Sequence, residues 1–465
     1  MKTYQDLLEV GENENLRIEF VRSVISEFKA SEMYREAEIA YKYEKHRNVT
    51  INQFQKLLYT VSGKVVPDNY SANWKMGSNF FHRFVTQEAQ FLLGNGITWK
   101  DVGTADKLGK NFDIQLQKLG KDALIGGCAF GFWNLDHLEN FDILEFVPLY
   151  DEENGALCAG VRFWQLATNK PLRATLYELD GYTEYIWKTG SNGEVLKEKH
   201  AYVTKYRMTE ADGTEIYDYD NYPGFPIVPL WGNPNKQSEF VGLREHIDSY
   251  DLIKSGFAND LDDASQIYWV IQNAGGMDDI DLAKFVERMK TVKAAVVEDS
   301  GARAEAHTME VPYQSREAYL EMVSKDLYRD AMALDTEEIA GGAVTATQIR
   351  AAYEPLNSKT DEFEFCVHNF LDDILAVAGI PDEKATFTRS MLLNKSEEID
   401  SIMKSATNLT PDYVTRKLLT ILGDGDLADE MIEQMKSDEL TRMFANLGNE
   451  PDNEGEEQEQ EEEQE

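Results

Sequence analysis

Residues 242–271 read GLREHIDSYDLIKSGFANDLDDASQIYWVI, and this stretch decides how the rest of the chain is read. Leu243, Ile247, Tyr250, Ile253, Phe257, Leu261, Ala264 and Ile267 recur at steps of three or four, which places them on one face of a helix. At 1.5 Å per residue, thirty helical residues would reach about 45 Å. Gly275-Gly276 stops the pattern. A compact insert follows, with a helical pattern over 280–290 and a strand-like Ala294-Ala295-Val296-Val297. A second long helix is expected over 315–334, carrying Tyr319, Met322, Val323, Leu327, Ala331 and Leu334 on its apolar face. Long helix, small insert, long helix implies an antiparallel pair with a cap at its far end. Residues 335–347, including Gly341-Gly342, read as a loop. A third long helix runs on to about Ala378, with Pro355 expected to kink it, until Gly379-Ile380-Pro381 breaks the chain.

Upstream, the chain to about residue 62 reads as helical, with Ile18, Val21, Val24, Ile25 and Phe28 forming one apolar face and Met33, Ala37, Ala40 and Tyr41 another. A helix over 79–93 ends at Gly94-Asn95-Gly96, and a shorter one covers 115–125. Between 128 and 230 the pattern changes to short aromatic and β-branched runs separated by turn signals such as Glu153-Asn154-Gly155, Asp180-Gly181, Ser191-Asn192-Gly193 and Asp212-Gly213. That is an antiparallel sheet region. Its end, Tyr222-Pro223-Gly224-Phe225-Pro226-Ile227-Val228-Pro229, reads as irregular and as a domain boundary. Beyond residue 395 a set of short helices is expected, with Thr410-Pro411-Asp412 opening one of them. The whole is an α+β chain, and at about 150 residues per domain its 465 residues have room for roughly three units.

Charge limits the function. The chain holds 84 Asp and Glu against 46 Lys and Arg, a formal net charge of −38. Residues 450–465 hold ten of these acids and no base, so removing them still leaves −28. This tail reads as a disordered, low-complexity segment. A polybasic grip on nucleic acid is therefore excluded as the dominant feature, and 42% apolar residues exclude disorder of the whole chain. Cys128, Cys158 and Cys366 form no CxxC or Cys/His cluster and read as small buried hydrophobes in a reducing compartment. The first residues show no apolar signal core, and no window reaches the ~18 apolar residues of a membrane span.

No phosphate-binding, nucleotide-binding or hydrolase motif (GxxxxGKS/T, GxGxxG, GxSxG, HExxH) is present. The seven histidines show no ligand spacing. Asp260, Asp262 and Asp263 could be imagined as a divalent-metal site, yet Asp262 and Asp263 point about 100° apart on a helix. A solvated or inter-subunit polar face of the long helix is the plainer reading. The Gly-rich 335–346 loop lacks the Lys and Ser/Thr arrangement that cradles phosphate, but it lies where a mobile protrusion is plausible.

Several segments then fall into a known order. Phe91-Leu92-Leu93-Gly94-Asn95-Gly96-Ile97 closes an early helix. Pro226-Ile227-Val228-Pro229, Gly232-Asn233 and Leu243 through Asp248-Ser249-Tyr250-Asp251 lead into a long helix that continues with Ser255, Asp260 and Asp263. Gly341-Gly342-Ala343 is followed by Ile349, Tyr353 and Leu356. In this order the chain resembles the portal proteins of tailed bacteriophages, of the type common in phages of Gram-positive hosts, over most of residues 30–380. Two departures are Gly96 in place of the usual proline and Trp231 in place of a smaller residue.

The resemblance implies a portal fold: a mixed α/β wing (1–240, with the β region at 128–230), a stem helix (241–272), a small α/β clip (273–312), a second stem helix (313–334), a tunnel loop (335–346), a long kinked wing helix (347–379), a helical crown (380–449) and the acidic tail (450–465). It implies a ring, usually of twelve subunits, at one vertex of the capsid, made in the host cytoplasm and carried in the virion. Double-stranded DNA would pass through the ring without sequence-specific contact. Terminase, head-tail connector, scaffolding and major capsid proteins are the implied partners, and no membrane, metal or cofactor is. The tunnel loop would be Thr336, Glu337, Glu338, Ile339, Gly341, Gly342, Val344 and Thr345. The clip would present Asp278, Asp279, Lys284, Glu287 and Arg288 for docking. Two rival readings stay open on the residues alone: a metal-dependent phosphodiesterase or nuclease using Asp260, Asp262 and Asp263, and an acidic scaffold or adaptor with no channel.

Overall fold

The computed structural model describes residues 2–59, 64–68, 73–101, 103–209, 215–264, 268–272, 303–307, 312–337, 346–389, 395–422 and 425–447. Helices and antiparallel strands are both abundant, so the chain is α+β. It divides into two units, one of residues 1–335 with 353–390, the other of residues 336–352 with 391–465.

The first unit holds the main core. Glu14–Ala30 is a helix capped by the Asn13 side chain, and it buries Ile18, Val21, Val24, Ile25 and Phe28. Each such side chain contributes about 1.5–3 kcal/mol on burial. The sheet region is antiparallel throughout the described strands, as its turn residues require. A five-stranded sheet is ordered Glu194–His200, Gly181–Trp187, Leu172–Glu178, Leu157–Trp164, Phe146–Tyr150; a three-stranded sheet is ordered Ile227–Trp231, Cys128–Asn134, His137–Asp142. Aromatic rings join the two, with Phe130 4.5 Å and Phe141 5.8 Å from Phe146 between centroids, and Phe132 5.4 Å from Tyr177. Gly160 is required here, because a Cβ would come within 2.1 Å of the Phe146 ring. Helix Phe112–Gly126 lies on the smaller sheet.

Three expectations need correction. The Pro-rich boundary is not wholly irregular: Ile227–Trp231 is a strand, with Pro229 opposite Phe130. It lies at the edge of its sheet, where a missing backbone donor faces no partner strand. The long helix runs from Arg244 only to Ala264, and Tyr268–Gln272 is a strand paired with Arg303–His307. Ala264 and Ile267 prolong the helical step on paper, but Tyr268-Trp269-Val270-Ile271 has no polar face and is rich in strand-forming side chains. The N-terminal stretch is helical only to Gln53; Leu57–Tyr59 then pairs with Val65–Pro67. One pairing was not anticipated at all: Ile97–Trp99 pairs with Ala385–Phe387, a contact across almost 290 residues that local patterning does not reveal.

The other long helices fall close to expectation. One is Tyr313–Asp330, and the next is continuous through Pro355 from Ala346 to Val377. The latter buries Tyr353, Leu356, Phe363, Val367, Phe370, Leu371 and Ile374 before Gly379, at φ +79°, ends the turn. Within the second unit, helices Lys395–Ser405, Pro411–Leu422 and Ala428–Leu447 follow one another; Pro411 opens its helix as expected, and the last helix, at 20 residues, is longer than expected. The helix and strand expected at 280–290 and 294–297, and the acidic tail, lie outside the described residues. Cys128 and Cys366 are buried, while Cys158 is only partly so. No helix among the described residues is long and apolar enough to cross a membrane.

Candidate functional site: the braced helix pair and its junction

Helices Arg244–Ala264 and Tyr313–Asp330 lie against each other. Polar bridges span the pair: Ser249 and Tyr319 share a hydrogen bond of 2.8 Å, His246 Nδ1 lies 3.1 Å from Asp330, and Arg316 pairs with Asp260. The first helix also carries a polar stripe at helical spacing, Asp248, Asp251, Ser255, Asn259 and Asp262. Its middle three residues are not a solvated face, although Asp262 at the end is exposed. Asp251 is 0% exposed, Ser255 2% and Asn259 5%.

The stripe holds an extended segment of the same chain. The Ser78 backbone N–H donates to Asp251 Oδ1 (2.8 Å), the Met76 N–H to Ser255 Oγ (2.9 Å) and the Trp74 N–H to Asn259 Oδ1 (2.7 Å). The Trp74 indole N–H donates to Asp262. Two residues of extended chain advance about 6.8 Å, and four residues of helix about 6 Å. The two periods nearly match, so every second amide meets every fourth helical side chain. Asn48 donates to Asp251, and Tyr43 and Thr50 donate to Asp248, Thr50 at 2.6 Å. Burial pushes the Asp251 carboxyl up, against the pull of its Asn48 and Ser78 donors.

Near the Asp330 end of the pair, helix Phe80–Leu93 supplies a second set of contacts. Gln87 clamps the backbone of Leu334 from both sides, accepting its N–H at 3.0 Å and donating to its carbonyl at 3.1 Å. This fixes the chain immediately before residue 335. The next residue, Glu88, meets Lys359 of the Ala346–Val377 helix. Lys359 Nζ lies 2.8 Å from Glu88 Oε2, 2.8 Å from Glu239 Oε2, and donates to the Ala331 carbonyl at 3.2 Å. Asn233 donates to Glu239 at 2.7 Å. One ammonium thus ties three helical segments to the chain that enters the long helix at Arg244. Two carboxylates share it in a buried place. Burial pushes Glu88 up to about 7, with Lys359 pulling the other way. Burial alone would lower Lys359, but Glu88 and Glu239 together raise it.

A further lock ties Glu383 to the strand-bearing segment near residue 100. Its carboxylate accepts the backbone N–H groups of Lys100 and Asp101 and the Thr104 hydroxyl. The Thr104 bond and the backbone donors hold its pKa down at about 2.

The imagined metal cluster does not assemble. Asp260 is engaged by Arg316 and Asp262 by Trp74, and the Asp263 side chain lies outside the described residues. Among the described residues, no group of three or more His, Cys, Asp or Glu is placed to hold a metal ion.

Residues 31–441 match the family described as phage portal protein, SPP1 Gp6-like. The chain belongs to that family. It is 22% identical over 444 residues to the portal protein of Bacillus phage SPP1, covering 87% of this chain and 84% of the relative. It is 28% identical over 254 residues to the portal protein of Clostridium phage phiCD119, covering 50% of this chain and 56% of that relative's length. Among solved structures it is similar to the virion of a native gene transfer agent particle (TM-score 0.42, 12% identity, 74% of this chain and 90% of the other). A second is the neck of that particle computed with C12 symmetry (TM-score 0.39, 11% identity, 73% and 89%).

Of the residues expected at the portal's tunnel loop, Thr336 and Glu337 are described; both are exposed and lie in a helical turn rather than open loop. Glu338, Ile339, Gly341, Gly342, Val344 and Thr345 lie outside the described residues, as do the clip residues Asp278, Asp279, Lys284, Glu287 and Arg288. Sequence reading missed the Lys359, Glu88 and Glu239 junction and the amide-binding stripe. A signal existed for the first: Glu88 stands four residues from both Phe84 and Leu92 on an apolar face, and Lys359 falls between Leu356 and Phe363.

Proposed function

We propose that this chain is the subunit of a closed portal ring, twelve by the family's usual count, at one capsid vertex of a phage virion. Double-stranded DNA passes through the ring during packaging and ejection without sequence-specific contact. The observation that carries this reading is the family match over residues 31–441. The braced pair of long helices on either side of the 273–312 insert suits a channel wall with a docking module at its end. A formal charge of −38 per chain suits a conduit, because a negative wall repels phosphates and prevents salt-bridged stalling. In this reading the protein performs no catalysis, the insert docks terminase and later head-tail connectors, and scaffolding and major capsid proteins contact the outer ring. The subunit is made in the host cytoplasm.

Negative-stain images of the purified chain test the ring directly: annular particles with a central hole are expected, and a chain monomeric at every concentration refutes it. The loop assignment has its own test. Deleting residues 341–345 is expected to leave rings intact while reducing DNA packaging or retention, and normal packaging by that variant refutes the assignment.

A further inference from the structure

We infer that the described residues 45–59, 64–68 and 73–79 form a cationic, apolar arm through which one copy of this chain binds a second copy. The inference rests on the ring reading above and assigns it a surface.

The first observation is a local reversal of charge. Residues 45–87 contain one of the chain's 84 acids, Asp68, and six of its 46 bases, Lys45, Arg47, Lys56, Lys64, Lys75 and Arg83. Asp68 is buried at 6% exposure, whereas Lys45, Arg47, Lys64 and Lys75 are exposed. The surface of this segment is therefore positive in a chain whose remainder is strongly negative.

The second observation is apolar exposure on the same segment. Phe54 is 44% exposed, Leu57 57%, Val65 49% and Trp74 58%. Strands Leu57–Tyr59 and Val65–Pro67 pair with each other and with no third strand among the described residues. An isolated two-stranded ribbon is marginal in water and leaves outward edges open to another chain. The arm's base is nonetheless fixed, because Trp74, Met76 and Ser78 are held by the polar stripe of the Arg244–Ala264 helix.

Charge complementarity selects the occupant. Copies carrying −38 each repel when brought side by side, and contacts between them are favoured where the sign reverses. The arm is such a place, and its exposed aromatic and aliphatic side chains are those a protein interface uses. A DNA backbone would engage the lysines but would leave Phe54, Leu57 and Val65 in water.

The test uses the full-length chain and sedimentation velocity, with circular dichroism and thermal unfolding as checks on folding. The variants are Lys64→Glu with Lys75→Glu, and separately Leu57→Ser with Val65→Ser. Each pair is expected to raise the concentration at which half the chains are assembled by about ten-fold or more, with the fold unchanged. Lys64→Arg with Lys75→Arg is expected to assemble like the parent. Rings of unaltered stability in both disruptive variants overturn the inference. So does salt-sensitive binding of a labelled DNA duplex that the glutamate pair abolishes while rings persist, which would assign the arm to DNA. A parent chain that never assembles overturns the ring reading and the arm together, and is distinguished by the parent's own sedimentation.

Discussion

Replacing Lys359 by methionine is expected to remove about 3–5 kcal/mol of folding stability, the cost of leaving buried charge without its partner. Methionine keeps most of the volume of the aliphatic stem, so the loss reports the ammonium rather than a cavity. What remains is two carboxylates, Glu88 at 1% exposure and Glu239, facing the same site with no cation between them. The pH dependence separates this cause from simple loss of packing. Burial already pushes the folded Glu88 carboxyl from its ordinary 4.5 to about 7, even with Lys359 opposing. A raised carboxyl binds its proton more tightly when folded, so its contribution is present below pH 4.5 and is lost as the pH rises through 7. Without Lys359 the carboxyl rises further, since both causes then act in one direction. The stability gap between parent and Lys359→Met, measured by urea unfolding, should therefore be wider at pH 8 than at pH 5. Adding Glu88→Gln to the variant should recover part of the gap at pH 8. A gap that is equal at both pH values, or no recovery by the second change, refutes the buried-charge account.

The contrast between this junction and the helices around it explains what the sequence disclosed. Helix faces such as Ile18, Val21, Val24, Ile25 and Phe28 are set by neighbours three and four residues away, so periodicity found them. The antiparallel strands between Cys128 and Trp231 were legible because their Asn and Gly turns are local chemistry as well. Pro229 was misread because its tolerance depends on lying at a sheet edge, which is a property of the assembled sheet. The end of the long helix at Ala264 was missed because two apolar residues kept the helical step while strand pairing with Arg303–His307 decided the outcome. Lys359, Glu88 and Glu239 come from three distant parts of the chain, and only folding brings them together. The amide-binding stripe was missed for a different reason. Asp251, Ser255 and Asn259 were visible at steps of four, but a buried stripe and a wet one have the same spacing. Burial depends on residues 74–78, which hold no pattern of their own.

That stripe supplies the second large effect. Asp251→Ala is expected to cost about 2–4 kcal/mol, because it leaves the Ser78 amide and one of the two Asn48 Nδ2–H groups as buried donors without an acceptor, each worth about 1–3 kcal/mol, while the other Asn48 N–H keeps the Ser78 carbonyl. Asp251→Asn should cost less, since its carbonyl can still accept from Ser78 although its amide then faces that of Asn48. The ladder makes the effect specific to position. Amide hydrogen exchange in Asp251→Ala should accelerate most at Ser78, in Ser255→Ala at Met76, and in Asn259→Ala at Trp74, following the three observed bonds. Equal acceleration at all three amides in every variant would mean that the segment is held as one cooperative piece by its apolar contacts, and the ladder would then be refuted as the cause. If the order holds, the stripe fixes both ends of the portal reading. It ties the long helix to residues 74–78, the base of the basic segment. Asp251→Ala should accordingly weaken self-association even though Asp251, at 0% exposure, can touch no neighbouring copy.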